Sequence, residues 1–209
     1  MDMGKTDSEE RHLDWIGKPE GYFRTIGAYG HAQHKREEHD FYATDPSTIE
    51  ALFSKESFSD KIWEPACGEG HLSKMMRWKY GKDVKESDIV DRMDNDVIDF
   101  LKVSDDFHWA GDIITNPPYK YAKEFVEKAL SIIEDGAKVA MFLKLTFLEG
   151  LSRRKLFDKE PPRTVYVFSK RKNCARNGDF DSCKTNSAMC YAWFVWVKGF
   201  TGAPVIKWI

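Results

Sequence analysis

Lys61-Ile62-Trp63-Glu64-Pro65-Ala66-Cys67-Gly68-Glu69-Gly70-His71 is the stretch that decides the fold. Residues 61–64 read as a short strand, 65–70 as a tight glycine loop. Residues 71–80 then place Leu72, Met75 and Met76 on one side of a helix. Strand, glycine loop and helix bring backbone close to a ligand, with the helix's first N–H groups turned toward it. This is not the dinucleotide fingerprint. The third glycine of G-x-G-x-x-G would fall at Ser73, and Glu64 puts a carboxylate where a pyrophosphate would be repelled. A carboxylate there suits a cationic or amine-bearing ligand.

Outward from this unit, residues 83–89 read as a second strand ending in Ser87-Asp88. An acidic residue at that strand end can accept from ribose hydroxyls. It can equally be a surface carboxylate in an acidic neighbourhood that includes Asp83, Glu86, Asp91, Asp94 and Asp96. Asp99-Phe100-Leu101 offers an acceptor for the amino group of an adenine and a ring to lie against it; the alternative is a helix cap and a core aromatic.

The second organising stretch is Thr115-Asn116-Pro117-Pro118-Tyr119, which follows the apolar strand Asp112-Ile113-Ile114. Two prolines carry no N–H and cannot continue a sheet ladder. They also hold Asn116 extended, because the residue before a proline is pushed out of the α region. A stiff loop at a strand end therefore presents an amide, backbone carbonyls and an aromatic ring. That set can hold a planar group bearing NH₂, with acceptors on the amine hydrogens and the Tyr119 face on the ring. A plain Asn-Pro turn is the competing reading.

The remaining pattern extends the alternation. A helix is expected to start near Pro46, capped by Thr44 or Ser47, with Ile49, Leu52 and Phe53 as its apolar face. A helix follows the proline loop with Phe125, Val126, Ala129, Leu130 and Ile133 at helical spacing, and 138–145 is a strand. Residues 147–157 read as a turn and short helix, and 164–169 and 188–198 as two further strands. The fold class is α/β: a mostly parallel sheet covered by helices on both faces, with an antiparallel element at one edge.

At 209 residues and a net charge of −2, the chain is one domain's worth of sequence without the global charge of a polyanion binder. Residues 1–38 read as a polar, partly disordered leader and 39–209 as a single domain. No run reaches transmembrane length, and the first residues lack the apolar core of a signal peptide. The four cysteines, Cys67, Cys174, Cys183 and Cys190, form no C-x-x-C pair, so reduced thiols and no metal site are expected. Charge is nonetheless uneven. Residues 153–176 carry nine basic side chains against two acidic ones. Lys170, Arg171, Lys172 and Arg176 crowd the loop between the last two strands and favour a polyanion contact over plain solvation.

Together, Glu64-Pro65-Ala66-Cys67-Gly68-Glu69-Gly70 and Asn116-Pro117-Pro118-Tyr119 resemble the two hallmark motifs of the S-adenosylmethionine-dependent amino-methyltransferases. The chain most resembles the small phage-type DNA adenine-N6 methyltransferases. Asp40-Phe41-Tyr42-Ala43-Thr44-Asp45-Pro46 is similar to that family's N-terminal cofactor motif, and Asp99-Phe100-Leu101 to its adenine-contacting motif. The resemblance covers residues 40 to about 200. It implies a Rossmann-like fold with a seven-stranded sheet, S-adenosylmethionine as cofactor, and methylation of the N6 amine of adenine in DNA. Asn116, Pro117, Pro118 and Tyr119 would be the catalytic loop. Phe41, Tyr42, Thr44, Glu64, Pro65, Ala66, Gly68, Gly70, Asp88, Asp99 and Phe100 would line the cofactor. Among these, Glu64 would face the methionine amino group, Thr44 the carboxylate, Asp88 the ribose and Asp99 the adenine amine. A cytoplasmic protein of a bacterial or phage-infected cell is expected, with neither membrane nor metal; the sequence leaves the oligomeric state open and favours a monomer.

Members of restriction type carry a separate target-recognition domain. Here about sixty residues follow the catalytic core, which leaves the loop beginning at Lys170 as the segment to read a target. The same NPPY chemistry also serves adenine in RNA and the glutamine amide of proteins. An oxidoreductase on a Rossmann sheet is disfavoured by Ser73 and Glu64. A catalytically dead binding module is disfavoured because neither motif has lost a residue.

Overall fold

The computed structural model describes residues 43–92, 94–170, 172, 174–175 and 189–209. The expected leader, together with Phe41, Tyr42, Arg171 and Arg176, lies outside the described residues. In chain order the elements are β1 (Ala43–Thr44), α1 (Ser47–Phe53), β2 (Lys61–Glu64), α2 (His71–Tyr80), β3 (Asp83–Asp88), β4 (Asp96–Val97), β5 (Asp112–Thr115), α3 (Ala122–Ile132), β6 (Lys138–Lys144), α4 (Leu151–Lys159), β7 (Thr164–Val167), β8 (Cys174–Ala175), β9 (Tyr191–Val197) and β10 (Val205–Trp208). Short 3₁₀ turns occupy Phe100–Lys102, Tyr119–Tyr121 and Leu145–Leu148. No helix among the described residues is long and apolar enough to cross a membrane.

The sheet runs β10-β7-β9-β6-β5-β2-β3-β4. It is Rossmann-like and mostly parallel, with helices on both faces, as the alternating pattern implies. Two details differ from expectation. This sheet has eight strands, the outermost, β10, pairing in parallel with β7, while β1 and β8 pair separately. The antiparallel strand β9 belongs to the expected half of the sheet but lies inside it, between β6 and β7. The physical reason is its composition: Ala192 to Trp196 are all buried, so β9 needs neighbours and layers on every side.

Side chains alternate between faces, so each buried strand feeds two cores. Trp63, Ile113, Val139, Met141, Leu143, Phe194 and Trp196 face the layer holding Phe125, Val126 and Leu130 of α3 and Leu156 of α4. Ile62, Ile114, Phe142, Trp193 and Val195 face Ile49 and Leu52 of α1 and Leu72 and Met76 of α2. At the start of α1 the side-chain acceptor is Asp45, whose Oδ1 takes the Ser47 N–H at 2.9 Å; this corrects the expectation of Thr44 or Ser47 as the cap.

What matters for the site is direction. β3, β2, β5 and β6 are neighbours and parallel, so their C-terminal ends share one edge. Chain order runs outward from β2 through β3 on one side and through β5 and β6 on the other. The crevice between β2 and β5 is therefore the topological switch point, where open α/β sheets bind ligands.

Candidate active site

On one side of the switch point stands the glycine loop. Gly68 (φ 55°) and Gly70 (φ 71°) are both left-handed, and Gly70 caps α2. A Cβ at Gly70 would lie 3.0 Å from Glu86 Oε1. The Gly68 N–H donates to Asp88 Oδ2 at 2.9 Å, while Asp88 Oδ1 accepts from the Val90 N–H at 3.1 Å. Asp88 thus braces the loop from the end of β3. Pro65 and Ala66 lead from β2 into this turn, with Pro65 buried and Ala66 half-buried.

Glu64, the last residue of β2, is 2 % exposed. It accepts a hydrogen bond from the Ser73 hydroxyl. Burial pushes its carboxyl up to about 8; the Ser73 hydrogen bond opposes this, and the charges of Glu86 and Asp88 reinforce it. Glu56 shows what the fold does when it wants a buried carboxylate charged. Burial raises that group too, but Tyr166 (2.6 Å), Lys138 (3.0 Å) and Arg163 (2.5 Å) donate to it and together hold it below the usual carboxylate value. Among the described residues, no lysine or arginine reaches Glu64. The same acidic surroundings act on Cys67, which is buried. Burial first, then Glu64, Asp88 and Glu86, push its thiol well above the usual cysteine value, so it supplies no thiolate nucleophile.

Asp99 caps the turn at Phe100–Lys102, accepting from the Leu101 N–H at 3.2 Å, and pairs with Lys102 at 3.0 Å. Phe100 is 2 % exposed, edge-on to Trp63 at 5.2 Å and beside Phe125 at 5.1 Å. Its ring therefore belongs to the core.

Across the crevice, β5 ends at Thr115 and delivers Asn116. The Asn116 Nδ2 donates to Thr44 Oγ1 at 2.7 Å across 72 positions of sequence. Thr44 is 4 % exposed, and its hydroxyl oxygen accepts this bond. Pro117 is buried and Pro118 half-buried, and the Tyr121 N–H closes onto the Pro118 carbonyl at 2.8 Å. Tyr119 is half-buried, 5.9 Å from the Tyr191 ring, and the Lys144 ammonium lies 4.9 Å from its ring centroid. β1 pairs antiparallel with β8, placing Thr44 opposite Cys174. Lys172 donates to Ser47 Oγ at 2.7 Å and sits over the Phe168 ring; Lys170 is exposed. β8 is thereby fastened to the strand that carries Thr44, and Lys172 to the start of α1.

Thr44, Asn116 and Tyr119 thus gather on one side of the switch point, and Glu64, Gly68, Gly70 and Asp88 on the other. The sequence motifs did not point to Lys144 or Tyr191, and Ser73 entered only as the residue in place of a third glycine. Ser73 had one available signal, a buried-face hydroxyl in the helix that follows a carboxylate-ended strand. Lys144 had none beyond its position at a strand end.

No protein-family model matches the sequence, and no curated protein does. The fold, however, recurs in solved structures. One is assigned to the class I S-adenosylmethionine-dependent methyltransferases of Listeria monocytogenes, with a TM-score of 0.58 and 12 % identity over 91 % of this chain and 72 % of that one. Another is named as an RNA methyltransferase from Pyrococcus horikoshii, with a TM-score of 0.53 and 13 % identity over 86 % of this chain and 100 % of that one. A third is the type IIG restriction endonuclease BpuSI, with a TM-score of 0.55 and 15 % identity over 85 % of this chain and 28 % of that one. The architecture is accordingly the Rossmann-like fold of the class I methyltransferases.

Proposed function

We propose that this chain is an S-adenosylmethionine-dependent methyltransferase acting on the N6 amine of adenine in DNA. The observation that carries the reading is the Asn116 amide at the switch point, held by Thr44 across the crevice from Glu64 and the glycine loop.

The residues fit the cofactor. Glu64 is a buried carboxylate with no cationic partner among the described residues, which suits an amino group. Gly68 and Gly70 adopt left-handed backbone and leave room for close approach. Asp88, already bracing Gly68, and Asp99, at the next turn, offer acceptors to a nucleoside. Phe100 backs that side from the core. When bound, S-adenosylmethionine would supply an electrophilic methyl group.

The chain's own task is to prepare the amine. An adenine amine is a poor nucleophile because its lone pair is delocalised into the ring. With Nδ2 committed to Thr44, Asn116 presents Oδ1 as its acceptor, and the Pro117 carbonyl is the second. Acceptors on both amine hydrogens draw the nitrogen toward tetrahedral geometry and localise the lone pair. The positive charge that then develops on nitrogen is stabilised by dipoles already in place. Tyr119 offers its face to the base, which must be unpaired or flipped out to arrive there. No covalent nucleophile takes part.

The test has two arms. Calorimetry should show binding of S-adenosylmethionine and none of NAD; the reverse sinks the reading. Transfer of labelled methyl to duplex DNA, total RNA and protein extract then assigns the acceptor. Label in RNA or in protein glutamine, with none in DNA, would reassign the substrate while keeping the amine chemistry.

A further inference from the structure

Resting on that reading, we propose that Lys144 holds the phosphate of the target nucleotide and releases the Tyr119 face when that phosphate arrives. Lys144 is the last residue of β6, the strand beside the one that delivers Asn116. It is half-buried, and its ammonium lies 4.9 Å from the centroid of the Tyr119 ring.

Other half-buried lysines of the domain are satisfied by oxygen. Lys138, at the opposite end of the same strand, pairs with Glu56 at 3.0 Å. Lys128 pairs with Asp105 at 2.5 Å, and Lys82 with Asp60 at 3.1 Å. Among the described residues, no carboxylate lies within ion-pair distance of Lys144 and its ammonium donates to no oxygen. An aromatic face is a weaker partner for an ammonium than an anionic oxygen. The position is therefore poised for an anion.

The ammonium lies over one face of the Tyr119 ring. A base that stacks on that face must share or displace it, and the four-carbon stem lets it swing aside. The base itself is a poor destination. A proton donated to a ring nitrogen would withdraw electron density from the amine that has to act as nucleophile. A phosphate has no such cost, and every nucleotide in a strand carries one. Free adenine and a glutamine side chain carry none. Lys144 would thus tie use of the pocket to a nucleic-acid backbone, separately from the basic segment at Lys170 and Lys172.

The experiment uses the full chain and an oligonucleotide that the wild-type protein methylates. Lys144→Met keeps the stem and removes the charge; Lys144→Arg keeps the charge. For Lys144→Met we expect KM for the oligonucleotide to rise about tenfold with kcat little changed, the signature of lost ground-state binding. The salt slope of oligonucleotide binding should flatten by about 0.9 for a duplex, or about 0.7 for a single strand. Lys144→Arg should restore both. A neutral methylphosphonate beside the target adenosine should weaken wild-type binding and leave Lys144→Met unaffected, and the wild-type arm of that comparison does not depend on how any variant folds. If the wild type methylates the oligonucleotide while Lys144→Met keeps its KM and salt slope, or if no neutralised phosphate next to the target weakens the wild type, the inference is overturned alone. If the wild type methylates no nucleic acid at all, the proposed function falls and takes the inference with it.

Discussion

Replacing Glu64 by glutamine should make the ligand-free protein less sensitive to alkaline pH while weakening its hold on the cofactor. The folded carboxyl sits at about 8 against an ordinary 4.5, chiefly because it is buried. The folded value lies above the unfolded one, so between these limits the native state binds more protons than the unfolded state. Stability from this group is fully present below pH 4.5 and is lost as pH rises toward 8. At about 1.36 kcal/mol per unit, the loss across the window is on the order of 4 kcal/mol. Glutamine has the same shape and does not titrate, so the variant lacks this component. At acid pH it should be the less stable protein, by roughly 1–3 kcal/mol if its amide hydrogens find no acceptor. Urea unfolding of both proteins at half-unit steps from about pH 5 to 8 checks this, because the other titrating groups are common to both curves. The difference between wild type and Glu64→Gln should shift in favour of the variant by several kcal/mol across that range. Parallel curves would refute the reasoning and mean that Glu64 is charged in the empty site. The same proton bears on the ligand: a cofactor ammonium must displace it. Wild-type affinity should therefore rise with pH up to about 8 with proton release on binding. Glu64→Gln should bind more weakly at every pH and release no proton from this site, as read by calorimetry in buffers of different ionisation enthalpy.

Asn116→Ala should lower methylation by roughly 10²-fold or more with cofactor affinity near wild type, since the lost acceptor acts as charge develops; Asn116→Asp should keep much more activity, and wild-type rates in the alanine variant would return the loop to a plain turn. Thr44→Val removes the partner of the Asn116 amide in an isosteric side chain, and turnover should fall about tenfold while Thr44→Ser stays near wild type; a loss of cofactor affinity with turnover intact would instead assign Thr44 to the cofactor carboxylate. Neutralising Lys170, Arg171, Lys172 and Arg176 together should weaken DNA binding and flatten its salt dependence by about 0.9 for each phosphate no longer neutralised; an unchanged slope would make this segment a solvated face.

Local pattern was enough for the elements that meet themselves. The strand, glycine loop and helix from Lys61 to Tyr80 are legible because strand alternation, left-handed glycines and a helical apolar face are each written within a few residues. The same holds for β5 and its proline stop, and for β6, whose buried run fits a central parallel strand. From such pieces the α/β class, the parallel core and the two candidate loops follow directly. Pairings between distant segments were not legible. Val205 to Trp208 are exposed, so β10 carries no burial signal and exists through its pairing with β7. The two-residue strands β1 and β8 mean nothing singly and appear because the chain brings Thr44 opposite Cys174. Ser73 finds Glu64 only when α2 docks on the sheet. The Thr44 hydroxyl meets Asn116 only when β1 is laid against the end of β5. Lys144 reads as an ordinary strand-end charge until the register of β6 beside β5 sets it over Tyr119. Sequence therefore determined which groups with chemistry exist and on which elements they ride. Tertiary structure decided which of them touch, because a hydrogen bond or a ring contact depends on sub-ångström placement that only the packed sheet and its helices supply.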